Sequence, residues 1–397
     1  MTNQQPRKLR LAKDIPIEEL KSRDRGRKKK KFWVIAQIFV LVFLIILGNY
    51  ILMTNHYLSY ARVSSIYPHR TAENNRYEPF ANGIVRYNRD GVMLLNSRNQ
   101  EMWIHPGQFA NPIFAKNGRS FLIADKGGNS VKVFNRDGVQ GEFETFLPIE
   151  RITISNQGIV SAILRNDSEP LIITYDMAGT ILVEKQVPFT TMGYPTALAL
   201  SDDGTILAVA YLSVNGGRLT SRVLHYNFTN PEEATEDHIV NIDVFDDTIV
   251  VDIIAMDGNR FGVITDNSFV IYQGSVAPSV SHEIYFDREI RSVFYTRRHF
   301  GYIASNLNAP GYQVRLFDLG GQEVMNLDFV GEYSNVRMIG NEIIMFEGME
   351  VFIISRFGIV RFQGSIDTHP IIIKPALGVN RYHVMTATEM TTINLVR

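Results

Sequence analysis

Cysteine is absent from the 397-residue chain, and tryptophan occurs only at Trp33 and Trp103. Without cysteine there is no disulfide, no thiolate nucleophile, no Cys-ligated zinc and no iron–sulfur cluster. A domain working outside the cell must then rely on a large core rather than on cross-links. Familiar catalytic signatures are missing as well. The chain has no G-x-S-x-G, no H-E-x-x-H, no G-x-x-x-x-G-K-[ST] and no G-x-G-x-x-G.

A large net charge is lacking too, but the total of −1 hides two unlike parts. Residues 1–31 hold twelve Lys or Arg against four acids, a balance of +8, so the remainder carries −1 − 8 = −9. An acidic remainder is poorly suited to gripping nucleic acid or an anionic wall polymer through bulk charge. No nucleic-acid partner is expected.

Charge is absent altogether from Phe32 to Met53, directly after the run Lys28-Lys29-Lys30-Lys31. As a helix those 22 residues span roughly 33 Å, about the thickness of the hydrocarbon core of a bilayer. Gln37 and Asn49 are its only strongly polar side chains, and Trp33 and Tyr50 fall where interfacial aromatics are favoured. The stretch exceeds an ordinary signal-peptide core, and the nearest small-x-small site is Ser59-Tyr60-Ala61. An uncleaved single-pass anchor is therefore expected. The basic flank puts the N-terminus in the cytoplasm and the long C-terminal part outside. It also suits an anionic inner leaflet. Within the tail, Asp14 and Pro16 could start a short helix over 13–21.

Long helical periodicity is missing after the span; short strands and turns take its place. An apolar strand ending in a polar residue recurs at Val92–Asn96, Val131–Asn135, Ile172–Asp176, Val223–Asn227, Phe269–Gln273, Val314–Asp318, Val351–Ser355 and Thr391–Asn394. The end points are 39, 41, 51, 46, 45, 37 and 39 residues apart. Eight copies near this spacing match the four-stranded blade of a β-propeller. Upstream of the marker lie strand pairs with a glycine turn, clearest at Ala197–Ala210 around Gly204 and again around Gly118, Gly158 and Gly258. The expected fold is all-β, a propeller of eight four-stranded blades preceded by one transmembrane helix. Seven blades would result if the short unit 77–109 formed none. The domains expected are a basic tail (1–31), a transmembrane helix (32–53), a connector (54–76) and the propeller (77–397). The last unit, from about His369, has room for three strands. Arg62–Tyr67 in the connector is the natural fourth, which would pin the ring within about ten residues of the bilayer and favour its membrane-distal face for partners.

Candidate chemistry is sparse. The nine histidines (His56, His69, His105, His225, His238, His282, His299, His369 and His383) show no metal spacing and read as surface or loop residues with satisfied bonds. Asp202-Asp203 and Asp246-Asp247 are neighbours on a chain that reads as strand and turn, so each pair points its carboxylates to opposite sides. Turn hydrogen bonding accounts for the first. Asp125-Lys126-Gly127-Gly128-Asn129 is too short and too basic for an EF-type calcium loop. Arg291–His299 is a local basic and aromatic cluster, read as a solvated strand and turn. No catalytic, cofactor or metal residue is therefore assigned, and no cofactor is expected.

Glu101-Met102-Trp103 looks like the tryptophan signature that ties the blades of pyrroloquinoline quinone enzymes, but it occurs once. The ring therefore resembles the noncatalytic relatives of those enzymes, such as outer-membrane assembly scaffolds. Asn111-Pro112, Ala124–Gly128, Gly193-Tyr194-Pro195, Ser201–Gly204 and Ser221–Val223 leading to Tyr226–Phe228 resemble a family from Gram-positive, clostridia-like bacteria. Its members combine a basic tail, one membrane helix and an exported propeller-like domain. That resemblance implies fold and topology; the family has no established activity, and no site residue carries over. The expected function is a noncatalytic binding or scaffold module in the cell envelope. Its partners would be the membrane and an envelope protein or polymer. The alternative is an extracytoplasmic enzyme acting on a glycan or related polymer, which needs carboxylates or histidines converging in the funnel.

Overall fold

The structure, a computed structural model, describes residues 17–54, 56–68, 75–166, 169–186, 192–229, 235, 237–307 and 310–397. It divides into two compact units that part between His56 and Tyr57.

The first unit holds one helix, Ile17–Thr54, which runs through the basic run and the apolar stretch without a break. The short helix expected at 13–21 is therefore not separate: from Ile17 onward it is the first part of this helix, while Asp14 and Pro16 lie outside the described residues. Lys31–Asn49 is long and apolar enough to cross a membrane, and none of it is buried. Burial on at least one face would mark the core helix of a soluble protein. Asn49 Nδ2 donates to the Ile45 carbonyl at 3.1 Å. One donor of its amide is thus met on its own helix.

The second unit contains eight sheets of four antiparallel strands. Blades 1 to 7 are continuous stretches, 76–106, 112–144, 149–186, 194–246, 250–285, 290–329 and 335–365, each ordered first to fourth strand from the axis outward. The unit 76–106 is a full blade, so the ring has eight. Blade 8 takes three strands from 372–396 and its fourth from Tyr60–Pro68. Tyr60 pairs with Val396 and Pro68 with Glu389, with an irregularity between Val63 and Ser65. Leu58 adds a parallel bridge to Phe362 in blade 7, its amide donating to the Arg361 carbonyl at 2.8 Å.

All eight sequence markers lie in the third strand of a blade. In six of them, Asn96, Asn135, Asp176, Asn227, Asp318 and Ser355, the terminal side chain caps the turn that follows, which explains why it is polar. Asn96 Oδ1 accepts from the amides of Arg98 (2.8 Å) and Gln100 (3.0 Å). Asp176 Oδ1 does so for Ala178 and Thr180 at 2.8 Å each, and Asp318 Oδ1 for Gly320 (2.8 Å) and Gln322 (3.0 Å). A side-chain acceptor two residues behind the amide it serves is an Asx turn. The glycines read between first and second strands take positive φ: 55° at Gly118, 93° at Gly158, 74° at Gly204 and 76° at Gly258. A side chain at any of them would be strained.

The core fills the gaps between blades. Eight apolar clusters correspond to the eight neighbouring pairs. Leu122 and Val133 of blade 2 pack on Val160 and Ile173 of blade 3, and Phe269 of blade 5 stacks on Phe300 of blade 6 at 3.7 Å between centroids. Third strands such as Leu171–Tyr175 are buried on both sides, so they read as unbroken apolar runs. Trp103, in the fourth strand of blade 1, lies parallel to Phe134 of blade 2 (5.4 Å, 7°) and donates Nε1–H to the Arg136 carbonyl at 2.9 Å. It joins a gap packed with Phe80, Phe109, Phe121 and Phe134, each aromatic pair contributing about 0.5–1.5 kcal/mol beyond its burial.

Candidate functional site: the central channel

The first strands of blades 1 to 7 line a central cavity of about 570 Å³. Its wall mixes apolar side chains such as Phe80, Phe114, Ile154, Leu198, Ile254 and Met338 with Glu78, Lys116, Asp252, Tyr295 and Arg297. Inner strands place alternate side chains on the axis, so residues far apart in sequence meet there.

Arg297 closes one end. It follows the first strand of blade 6 and reaches across to three other blades. Its Nη2 donates to Asp202 Oδ1 (2.7 Å) and Oδ2 (2.5 Å) in blade 4. Its Nε donates to Asp257 Oδ1 (2.6 Å) in blade 5, and Nη1 donates to Asn117 Oδ1 in blade 2. Arg298 adds a bond to Asp257 Oδ2 at 2.8 Å. Burial alone would raise the Asp257 pKa, but the guanidinium groups of Arg298 and Arg297 outweigh it and hold the carboxyl below its usual value. A planar guanidinium serving several acceptors suits this role better than a lysine would. All four residues lie at or beside turns between first and second strands, so the closure sits on the face carrying those turns.

Above the closure, Glu78 of blade 1 is paired with Arg337 of blade 7 (2.9 Å). Lys116 of blade 2 donates to the Pro79 carbonyl at 2.7 Å. Its side chain is open to channel water yet walled in by protein, and this burial pushes its pKa down, with Glu78 opposing and Arg337 reinforcing. Burial pushes the Asp252 carboxyl up, opposed by the Ile253 amide and the charge of Arg151. Tyr295 is pushed up to about 12 by burial and by Asp252 and Glu78.

The residues singled out in the sequence fall differently. Asp203, not Asp202, serves the turn, accepting from Ser201 Oγ (2.6 Å) and the Thr205 amide (3.0 Å). Asp202 holds Arg297. The cluster Arg291–His299 is a strand and turn with largely exposed side chains, as read; it is also the first strand of blade 6 and the turn after it, and it brings Tyr295 and Arg297 to the channel. Asp125 is spent on backbone amides, accepting from Asn111 (2.5 Å) and Ala110 (3.1 Å). The Asp246-Asp247 turn is held by its main chain, the Asp247 amide donating to the Leu219 carbonyl at 2.9 Å.

Two histidines overturn the surface reading. His225 is fully buried between blades 4 and 5 against Tyr272 (4.7 Å) and Phe261 (5.5 Å), with no hydrogen-bond partner for either ring nitrogen among the described residues. Burial pushes its pKa down to about 3. His383 is buried at the seam between blades 8 and 1, within hydrogen-bond distance of Thr392 Oγ1 (3.1 Å) and the Ser97 carbonyl (2.8 Å). His69 lies outside the described residues. Among the described residues no three His, Asp or Glu side chains are placed to hold a metal ion.

Comparison with known proteins agrees with this architecture. Residues 53–395 match the family of unknown function DUF5711, and the chain belongs to that family. No curated protein matches. Among solved structures, a eukaryotic initiation factor superposes with a TM-score of 0.51 at 12% identity, covering 79% of this chain and 80% of that one. AztD from Citrobacter koseri gives 0.49 at 10% identity, covering 77% and 87%. BamB from Moraxella catarrhalis gives 0.47 at 11%, covering 84% and 100%. At such identities the likeness concerns the fold alone.

Proposed function

We propose that this member of the family is a membrane-anchored, noncatalytic scaffold that binds a protein partner in the cell envelope. Its helix crosses the membrane with the basic tail in the cytoplasm and the ring outside. The observation that carries the reading is where the ring's acids are spent. Asp202 and Asp257 hold Arg297, Glu78 holds Arg337, and Asp125, Asp176, Asp203 and Asp318 hold turn amides. Such groups fix a shape and leave little for acid–base work.

The surface for the partner is the second-to-third-strand hairpin of blade 4. Its strands, Ile206–Asn215 and Arg218–Asn227, have ten residues each, against four to nine in the other strands described. The extra residues project roughly 10 Å, on the face opposite the Arg297 closure, with Val214 65% exposed near the tip.

Crosslinking and pull-down from membranes tests this. The full chain should recover a specific envelope protein, and a variant with residues 213–220 shortened to a two-residue turn should recover it at a tenth of the yield or less. Equal recovery by both, or none by the full chain, contradicts the reading. Release of reducing ends from envelope glycan by the full chain, abolished in Asp252→Asn, would replace it with the enzymatic alternative.

A further inference from the structure

The channel wall carries two charges of opposite sign that have no ion-pair partner among the described residues. Among the described residues, Lys116 Nζ makes one hydrogen bond, to the Pro79 carbonyl at 2.7 Å, and Asp252 accepts only from the Ile253 amide at 2.9 Å. Glu78 and Arg337 stand near Lys116, and Arg151 near Asp252, but none forms an ion pair with it. The other charges on the wall are matched: Glu78 with Arg337, and Arg297 with Asp202 and Asp257. The ammonium and the carboxylate thus face one cavity with their charges free to meet a ligand of opposite charges. Burial acts on both in the expected sense, lowering the lysine and raising the aspartate.

The space between them is that of a ligand site. A volume of about 570 Å³ falls in the range of small-molecule pockets. Phe114, Ile154, Leu198 and Ile254 supply apolar wall between the two charges. Lys116 belongs to blade 2 and Asp252 to blade 5, three blades round the ring. A ligand meeting both must therefore carry its own two charges well apart, with an apolar middle. Two or three residues of extended peptide span roughly 7–10 Å between their ends. A single amino acid holds its charges too close together. A lone anion or cation would leave one wall charge unmet.

We propose that the channel binds a short peptide of two or three residues with free termini, its carboxylate on Lys116 and its ammonium on Asp252. Arg297 forms the floor that sets how long a peptide fits. This site lies apart from the blade 4 hairpin and does not depend on the partner proposed there.

Calorimetric titration of the full-length chain in detergent micelles tests the site with three probes: Ala-Leu-Ala, its N-acetylated form and its C-terminal amide. Ala-Leu-Ala is expected to bind, and each capped form to bind about tenfold or more weakly, since each lacks one charge-assisted bond. Asp252→Asn should bring Ala-Leu-Ala down to the affinity of the acetylated probe for the native chain. Lys116→Met should bring it down to that of the amide, while Lys116→Arg keeps it within a few-fold. Melting curves confirm that the variants are folded. Absence of binding by Ala-Leu-Ala at millimolar concentration overturns the proposal. So does equal binding of the capped probes, or unchanged affinity in both Asp252→Asn and Lys116→Met.

Discussion

Blades 4 and 8 stand opposite one another in the ring and are built in contrasting ways. Blade 4 is one continuous meander with the longest hairpin of the molecule, turned by Gly216 and Gly217 at φ 59° and 83°. Its side chains join both neighbours through apolar clusters and, by way of Asp202, Arg297 of blade 6. Blade 8 is assembled from both ends of the domain, with Tyr60–Pro68 pairing onto Glu389–Val396. Its seam with blade 1 has a modest apolar cluster around Tyr77, Ile372, Met385 and Met390. Polar reach supplements it: Lys374 Nζ donates to the carbonyls of Asn82 and Gly83 at 3.0 Å each, and His383 meets the Ser97 carbonyl at 2.8 Å. Local hairpins need little loop closure, whereas the blade 8 pairing closes a loop of more than 300 residues. The ring therefore has a strong side and a seam.

The largest effect expected comes from removing the closing strand. Deleting residues 60–68 should expose the edge of Glu389–Val396 and lower the melting temperature by about 10 °C or more. Shortening the blade 4 hairpin at 213–220 should shift it by less than about 3 °C. Similar shifts for both would break the contrast. Next in size is Arg297→Met, which strands Asp202 and the Asn117 carbonyl oxygen and leaves Asp257 to Arg298 alone. Denaturant unfolding should show a loss of about 1–3 kcal/mol. Because Arg297 does not touch blade 8, that loss should add to the effect of a seam mutation.

Two smaller effects separate the regions by pH. Burial pushes the Lys374 amine down to about 8, against 10.5 for a free lysine. Between those values the folded chain has shed a proton that the unfolded chain keeps, so stability rises with pH from about 8. Lys374→Met should flatten melting temperature against pH between 8 and 9.5. His225 works on the acid side: with a folded pKa of about 3 against 6.5, the unfolded chain binds the proton first as pH falls. Stability is present above pH 6.5 and lost progressively below it. His225→Phe should reduce the loss between pH 6.5 and 5, and an unaltered slope would contradict the buried, neutral imidazole.

The ring was largely legible in the sequence because its signals are local. Asn96, Asp176, Asp318 and Ser355 mark third strands since each caps the next turn with its own side chain, a bond spanning two to four residues. The closing strand was legible from arithmetic, as three strands after His369 require a fourth. The channel was not. Asn117, Asp202, Asp257 and Arg297 lie in four different blades, and nothing in their spacing shows that their turns meet at the axis. Asp202 and Asp203 are indistinguishable as a pair, yet one serves its own turn and the other a guanidinium from blade 6. His225 was read as a surface residue although it sits in the marker strand Val223–Asn227, all five residues of which are buried.

Hydrogen exchange of the full-length chain tests the closed ring most directly. The account predicts that amides in 61–67 are protected together with those in 391–396, and that this pair opens before the strands Ile206–Asn215 and Arg218–Asn227 of blade 4. If 61–67 exchanged at the rate of an unstructured chain while 391–396 stayed protected, or if blade 4 opened first, the account of how the ring closes would be wrong.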